Sequence, residues 1–279
     1  MARRNYYSYS NSDKFFNVFE SPKSLSEFIK KTPQTATGKK YGNVQTESNK
    51  DFYGTESWEE AEELLVSGDF ENMKKIHTVA VNNDISGGGY ERKNTYKQTP
   101  VGFLPVVPKV LAGCPDNMLS MRKQMTATTK ILNICYNSAV GFFVKTDEII
   151  KVAANVASVI RGLEKSGYRV NLYVAGMGRN NNQTIGVAVK VKNAGEYLDT
   201  LRLAYPIVHP SFFRRHILAY MERCKGYRMQ KNYGYVLETS YSKLAVKEMF
   251  PGKDMLYLDF QTCKGKTSKE IADLLTSGK

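Results

Sequence analysis

The sequence contains little cysteine, histidine or tryptophan, and it has no long apolar run. Its 279 residues include 4 Cys, 3 His and 1 Trp. The cysteines lie far apart and form no C-x-x-C pair, which argues against a zinc site or a redox motif, and we expect no disulfide. No run reaches the ~18 apolar residues that a membrane-spanning helix needs. We therefore expect no membrane partner.

Phosphate-binding and hydrolytic patterns are also missing. The glycines Gly87 to Gly89 have no G-K-[ST] directly after them, and no strand clearly precedes them. Ser138 follows a predicted strand but lacks the G-x-S-x-G turn of a nucleophile, and no histidine pairs with it in the pattern. We predict no cofactor, no resident metal and no catalytic residues.

Positive charge is abundant but unevenly distributed. The formal net charge is +13, and residues 51–71 carry eight acids and no base, whereas residues 209–233 carry six bases and one acid. The basic segment is interleaved with aromatics, a pattern found on surfaces that bind nucleic acid. Its candidate residues, with two more from the N-terminus, are Arg214, Arg215, Arg223, Lys225, Arg228, Lys231, Arg3 and Arg4. The competing interpretation is a helix whose aromatics pack inward while its bases face solvent.

Composition divides the chain into three parts. Residues 1–50 are polar, with one helix starting at Ser21 or Ser24, and predict a flexible basic arm. Residues 51–129 predict a helical and irregular extension that packs on the core. Residues 130–279 alternate between strand and helix patterns and predict an α/β domain.

The alternation in the third part predicts the architecture of its sheet. A strand at 130–137 is apolar on both faces, as central parallel strands are. A capped helix follows at 146–167, and two strands joined by a short Gly/Asn-rich turn come next. We predict a mostly parallel central sheet with helices on both faces and one antiparallel edge strand. The predicted elements after the first helix are strands 168–176 and 184–192, helices 196–207 and 209–226, strand 233–240, helix 241–250, strand 254–260 and helix 268–279.

This order of elements resembles the von Willebrand factor A domain. Members that bind Mg²⁺ or Mn²⁺ carry D-x-S-x-S at the end of the first strand, whereas the same spacing here reads Asn133-Ile-Cys135-Tyr-Asn137. Amides and a thiol are poor ligands for hard cations, so the resemblance implies a degenerate metal site. The segments SWEEAEELLVSGDF, VLAGCPDNM and LAYPIVHPSFFRR resemble pieces of tailed-phage proteins, which implies a phage origin and either the host cytoplasm or the virion.

The polar end of the first strand of the α/β domain is the predicted binding site. Open α/β sheets bind ligands at the carboxyl ends of their strands, and Asn137, Ser138 and Glu238 lie at the ends of predicted strands there. We predict a non-enzymatic protein that takes part in protein–protein assembly or self-assembly through this crevice. Nucleic-acid binding is the alternative, and a hydrolase using Cys135 or Ser138 is a more distant one.

Overall fold

A computed structural model describes most of the chain. The described residues are 6–11, 13–42, 44–81, 93–124, 131–141, 143–180, 182–230 and 236–276. Within these residues no helix is both long enough and apolar enough to cross a bilayer.

Strands and helices alternate along much of the chain. The strands are β1 (Tyr6–Asn11), β2 (Lys14–Phe19), β3 (Lys93–Thr99), β4 (Leu104–Pro105), β5 (Met118–Gln124), β6 (Ile131–Asn137), β7 (Arg169–Asn180), β8 (Gln183–Lys192) and β9 (Met255–Asp259). The helices are α1 (Pro22–Lys31), α2 (Ala36–Tyr41), α3 (Lys50–Tyr53), α4 (Trp58–Ser67), α5 (Phe70–Val81), α6 (Val107–Leu111), α7 (Thr146–Lys165), α8 (Thr200–Val208), α9 (Leu218–Met221), α10 (Thr239–Met249), α11 (Phe260–Cys263) and α12 (Ser268–Thr276). A π-helix, Phe212–Ile217, directly precedes α9.

The main sheet is mixed and has the strand order β1-β2-β8-β7-β6-β9. β7, β6 and β9 are parallel, and β8 runs antiparallel to β7, as the sequence predicts. The prediction that this antiparallel strand lies at the edge is wrong. β2 pairs along β8 in parallel, from Lys14 opposite Thr184 to Phe19 opposite Val189.

Within the segment 1–50, Lys14–Phe19 belongs to the main sheet and Pro22–Lys31 forms the helix that follows it. The polar composition of residues 1–50 hides the segment KFFNVF, which forms β2 and buries Phe15, Phe16, Val18 and Phe19. The predicted helix is α1, capped by Ser21, and its Leu25 and Ile29 are buried. The candidate residues Arg3 and Arg4 lie outside the described part.

Helices cover both faces of the main sheet. On one face, Leu132, Ile134 and Tyr136 of β6 belong to a large apolar cluster that includes residues of α7. On the other face, Cys135 lies in a smaller cluster with Val246 and Met249 of α10. Successive side chains of β6 point to opposite faces of the sheet, and helices cover both faces. The strand is therefore apolar on both sides.

Two predicted elements of the C-terminal half differ from the structure. The predicted helix 209–226 contains the π-helix and α9 and ends earlier. The predicted strand 233–240 lies partly outside the described residues. In its described part Val236 forms an isolated bridge to Gly178, and α10 begins at Thr239.

A glycine in β7 allows the π-helix to approach the sheet closely. A Cβ atom built on Gly176 would overlap Cγ2 of Ile217 and lie 2.9 Å from Cδ2 of Phe213. Both side chains are buried, so neither has space to move away.

We expect Gly176→Ala to lower the free energy of unfolding by about 1–3 kcal/mol, because an added methyl group overpacks the core. Gly195→Ala is the matched control, since its Cβ would have no described atom within 4 Å. Urea unfolding of both variants measures the difference. Equal stability of the two variants would contradict the close packing.

A buried hydrogen-bond chain links α1, α4, α8 and the π-helix. His216 Nδ1 lies 3.0 Å from the hydroxyl of Tyr205, and its Nε2 lies 3.1 Å from the carboxylate of Glu62. Burial lowers the pKa of His216, so the neutral ring accepts from Tyr205 and donates to Glu62. Burial raises the pKa of Glu62, but hydrogen bonds from His216, Lys30 and Ser26 outweigh it and lower this pKa to about 2.

Stability should therefore fall in acid. Below the ordinary histidine pKa of 6.5, the unfolded chain takes up a proton that buried His216 does not. A second loss of stability follows between pH 4.5 and about pH 2, where Glu62 is protonated in the unfolded chain before it is protonated in the folded protein. We expect His216→Gln to reduce the slope of the unfolding free energy with pH below pH 6.5, by at most ~1.4 kcal/mol per pH unit, the limit for one proton. Urea titrations at several pH values measure this slope, and a variant with the wild-type slope would exclude His216 as its source.

Candidate binding cavity at the carboxyl ends of the sheet

A cavity of about 770 Å³ lies at the carboxyl ends of β6 and β9. Asn137 and Asp259, the last residues of these parallel strands, are paired in register, so their side chains meet at the same edge. The cavity is lined by Phe52, Asn137, Ala139, Val140, Gly141, Phe143, Phe213, Arg214, Leu218, Val236, Leu237, Glu238, Thr239, Asp259, Phe260 and Gln261. Most of these are apolar, and the polar ones are concentrated at the strand ends.

The polar floor is a continuous hydrogen-bond network. Asn137 Nδ2 donates to the hydroxyl of Tyr257 at 3.1 Å, and this hydroxyl donates to Asp259 Oδ2 at 3.0 Å. The hydroxyl of Thr239 donates to the same Oδ2 at 2.6 Å. The other oxygen of Asp259 accepts from the backbone N–H of Thr262 and caps α11. Each member has a partner, so the floor is held in one geometry before any ligand arrives.

Tyr257 and Asn137 are neutral hydrogen-bond donors of this floor. Burial raises the pKa of Tyr257, so its hydroxyl stays protonated at neutral pH and donates a hydrogen bond to Asp259. Asn137 is 1% exposed and also accepts from the backbone N–H of Ala139 through its Oδ1. The floor therefore combines a fixed carboxylate with neutral donors.

Arg214 is a buried cation in the cavity wall. Its Nη1 donates to the carbonyl of Phe52 at 2.6 Å, and its Nη2 lies 3.4 Å from the carbonyl of Gly141. The guanidinium carbon lies 4.8 Å from the centre of the Phe52 ring. Within the described part of the chain, no carboxylate lies within ion-pair distance of Arg214. Burial lowers its pKa, which is the expected effect on a cation without a close counter-charge.

Two of the three predicted crevice residues line this cavity. Asn137 forms part of the floor, and Glu238, the residue that precedes α10, lies exposed at the wall. Ser138 does not line the cavity, because its hydroxyl and its N–H both turn to the carbonyl of Ala175. Asp259 and Arg214 were missed as cavity residues. Asp259 obeys the same strand-end rule that selects Asn137, so the sequence contained a signal for it.

Asn133, Cys135 and Asn137, the residues at the metal-binding spacing, do not share one open site. The carboxamide of Asn133 accepts from Asn171 and donates to the carbonyl of Asp254. Cys135 is fully buried, and burial raises the pKa of its thiol to about 12. Among the described residues no three His, Cys, Asp or Glu side chains form a cluster that could hold a metal. A thiol in this state is not an accessible nucleophile, which removes Cys135 from the hydrolase alternative.

Three of the predicted nucleic-acid-binding residues are buried, so for them the prediction is wrong. Arg214, Arg215 and Arg223 are 3%, 0% and 5% exposed. They donate to protein carbonyls. Arg215 and Arg223 lie in the core, and Arg214 faces the strand-end cavity and not the outer surface that a nucleic-acid backbone would contact. Lys225 and Arg228 are exposed, whereas Lys231 lies outside the described residues, as do Arg3 and Arg4.

Arg215 binds the loop between α2 and α4. Its Nη1 donates to the carbonyls of Val44 and Glu47, at 2.7 and 3.3 Å. Its Nε and Nη2 donate to the hydroxyl and the carbonyl of Thr55, at 2.8 and 3.0 Å. The guanidinium carbon lies 4.3 Å from the centre of the Tyr53 ring. Arg215 therefore supplies side-chain donors to three backbone carbonyls of this loop.

We expect Arg215→Met to lower the free energy of unfolding by at least ~3 kcal/mol, because each buried acceptor left without a donor costs ~1–3 kcal/mol. Arg228→Met, at an exposed position, is the control and should change it by no more than ~0.5 kcal/mol. Urea unfolding gives both values. A similar small effect for the two variants would show that Arg215 is not a structural anchor.

Comparison with known proteins gives one match. A family model described as a domain of unknown function, DUF7192, matches residues 5–273. No curated protein and no solved structure matches the chain. The match covers nearly the whole sequence, including the main sheet and the residues that line the cavity, and the chain therefore belongs to the DUF7192 family.

Proposed function

We propose that this protein binds a segment of a partner protein in the strand-end cavity, as a step in macromolecular assembly. The observation that carries the proposal is the cavity itself, with apolar walls, a fixed polar floor and a buried arginine. Binding sites typically have this composition, in which apolar surface supplies affinity and a few placed polar groups supply orientation.

The size of the cavity supports a short segment as the ligand. Its volume of about 770 Å³ lies within the ~300–1,000 Å³ typical of sites for small ligands. A whole helix or a duplex does not fit in such a space, whereas two or three side chains of an inserted segment do. Phe143, which is 75% exposed, and Val236 form accessible parts of the wall that an incoming side chain would cover.

The chemistry of the walls supports an apolar segment with a carboxylate. Phe52, Val140 and Leu218 offer contact to a large apolar side chain. Arg214 has donors directed to two carbonyls but no described acidic partner, so a carboxylate of the ligand would supply its counter-charge. The net charge of +13 favours the approach of an acidic partner.

The wider expectations from the sequence remain predictions. The resemblance to von Willebrand factor A domains agrees with partner binding at the carboxyl ends of the strands, since members bind there. The resemblance to tailed-phage proteins suggests assembly within the host cytoplasm or on the virion.

Nucleic-acid binding is less well supported than protein binding. Of the bases predicted in segment 214–231, Lys225 and Arg228 are the exposed ones among the described residues. Two phosphate contacts from these described residues would by themselves give only weak, salt-sensitive binding.

Selection of random peptides on the immobilised full-length chain tests the proposal. We expect enriched peptides to carry a large apolar residue close to an Asp, a Glu or the free carboxyl terminus. Replacing that acid by its amide should weaken binding at least tenfold, because Arg214 then loses its counter-charge.

Variants of the wall locate the binding site. Phe143→Ala and Val236→Asp should each weaken peptide binding at least fivefold, since they remove or charge apolar contact surface. Tyr197→Ala is the control, because Tyr197 is an aromatic residue that is 97% exposed and does not line the cavity. Titration by fluorescence anisotropy measures the affinities. The proposal is refuted if no peptide is enriched, or if the wall variants bind as tightly as the control.

A further inference from the structure

The strand-end cavity carries charges of both signs. The charged residues of its lining are Arg214, Glu238 and Asp259, which are one base and two acids. The whole chain has the opposite balance, with 40 Lys and Arg against 27 Asp and Glu. The lining of the cavity is therefore more acidic than the protein around it.

The two acids lie close together in the cavity wall. Asp259 is the last residue of β9, and Glu238 directly precedes α10. Thr239, the first residue of α10, donates from its hydroxyl to Oδ2 of Asp259 at 2.6 Å. This hydrogen bond joins the end of β9 to the start of α10. Because Glu238 is the neighbour of Thr239 in the chain, both carboxylates belong to the same region of the lining.

Arg214 lies apart from these carboxylates. It belongs to the π-helix, and its guanidinium group binds the carbonyl of Phe52 and lies 3.4 Å from that of Gly141. Among the described residues no carboxylate forms an ion pair with it. Burial lowers its pKa, and no described carboxylate offsets this effect. The cavity thus has a positive region and a negative region that do not neutralise each other.

The negative region also lacks a cation within the described part of the chain. Asp259 is 5% exposed, and its carboxylate accepts from two hydroxyls and one backbone N–H, all of which are neutral. Glu238 occupies the N-cap position of α10, but its side chain makes no capping hydrogen bond. A ligand cation at this place would be attracted by both carboxylates.

From this separation of charge we propose that the segment bound in the cavity is dipolar, with a Lys or Arg side chain that pairs with Glu238 and a carboxylate that pairs with Arg214. The inference rests on the proposed function, because it specifies the charges of the ligand for the same cavity. Such a pattern fixes the direction in which the segment enters, since a reversed segment would bring like charges together. Glu238 is then the residue that determines specificity for the base.

Parallel selections of random peptides on three immobilised full-length chains test the charge pattern. The chains are the wild type, Glu238→Lys and Glu63→Lys. On the wild type we expect Lys or Arg to be enriched above its frequency in the starting library, in peptides that also carry the apolar residue and the acid. On Glu238→Lys this preference for a base should disappear, because the wall then repels it.

The variant Glu63→Lys is the matched control for this selection. It makes the same change in net charge at an exposed position of α4 that does not line the cavity, so it should retain the wild-type preference. Glu238 is exposed as well, so neither substitution disturbs the core.

Affinities measured by fluorescence anisotropy assign the base to Glu238. The probes are the peptide most enriched on the wild type and its version with Gln in place of the base. On the wild type this exchange should weaken binding about fivefold, the upper range for a partly exposed ion pair. On Glu238→Gln it should have less than about a twofold effect, because the partner of the base is already absent. The Glu63→Gln chain should show the full loss.

The outcomes separate this inference from the proposed function. If wild-type selections yield the apolar residue and the acid but no enriched base, the dipolar pattern is wrong and the proposed function stands. If exchange of the base weakens binding equally on the wild type and Glu238→Gln, the base pairs elsewhere and the assignment to Glu238 is overturned. If no peptide is enriched, the proposed function fails and the charge pattern fails with it.

Discussion

The buried guanidinium group of Arg215 is the interaction on which the strand-end cavity depends. Its donors bind carbonyls of Val44, Glu47 and Thr55, and this fixes the loop around α3 against the π-helix. Phe52 lies in α3, and the adjacent Arg214 binds the carbonyl of Phe52 from the same π-helix. The two arginines thus have linked roles, since one anchors the loop and the other uses that loop to form a wall of the cavity.

The polar groups of the cavity differ in what they leave open to a ligand. Asp259 receives hydrogen bonds from Thr239, Tyr257 and the N–H of Thr262, so it holds together β9 and the beginnings of α10 and α11. Its carboxylate is a structural element as much as a recognition element. Arg214 and Glu238 are more available, because the first has no described acidic partner and the second is exposed. Polar selectivity should therefore come from the wall and the opening, and the floor gives the cavity its rigidity.

Local patterns predicted much of the domain but not its long-range pairing. The apolar run of β6, the amphipathic α7 and the strand β9 follow from periodicity and helix ends, and the strand-end rule located Asn137. Glu238 lines the cavity as the residue before α10 and not at the end of a described strand. The burial of Arg214, Arg215 and Arg223 was not predicted, because a basic segment normally faces solvent. Their burial depends on carbonyl acceptors far away in sequence, 171 residues for Arg215 to Val44 and 194 for Arg223 to Ile29. The pairing of β2 with β8 is equally non-local, which is why β8 appeared to be an edge.

The size and rigidity of the strand-end cavity limit what it can contribute to the proposed assembly. The cavity is preformed and small, so a single inserted segment has limited contact area and binds with modest affinity. A partner that presents several copies of the segment would bind more tightly than one segment only where several copies of this chain are held together, because the second cavity is then met at a high effective concentration.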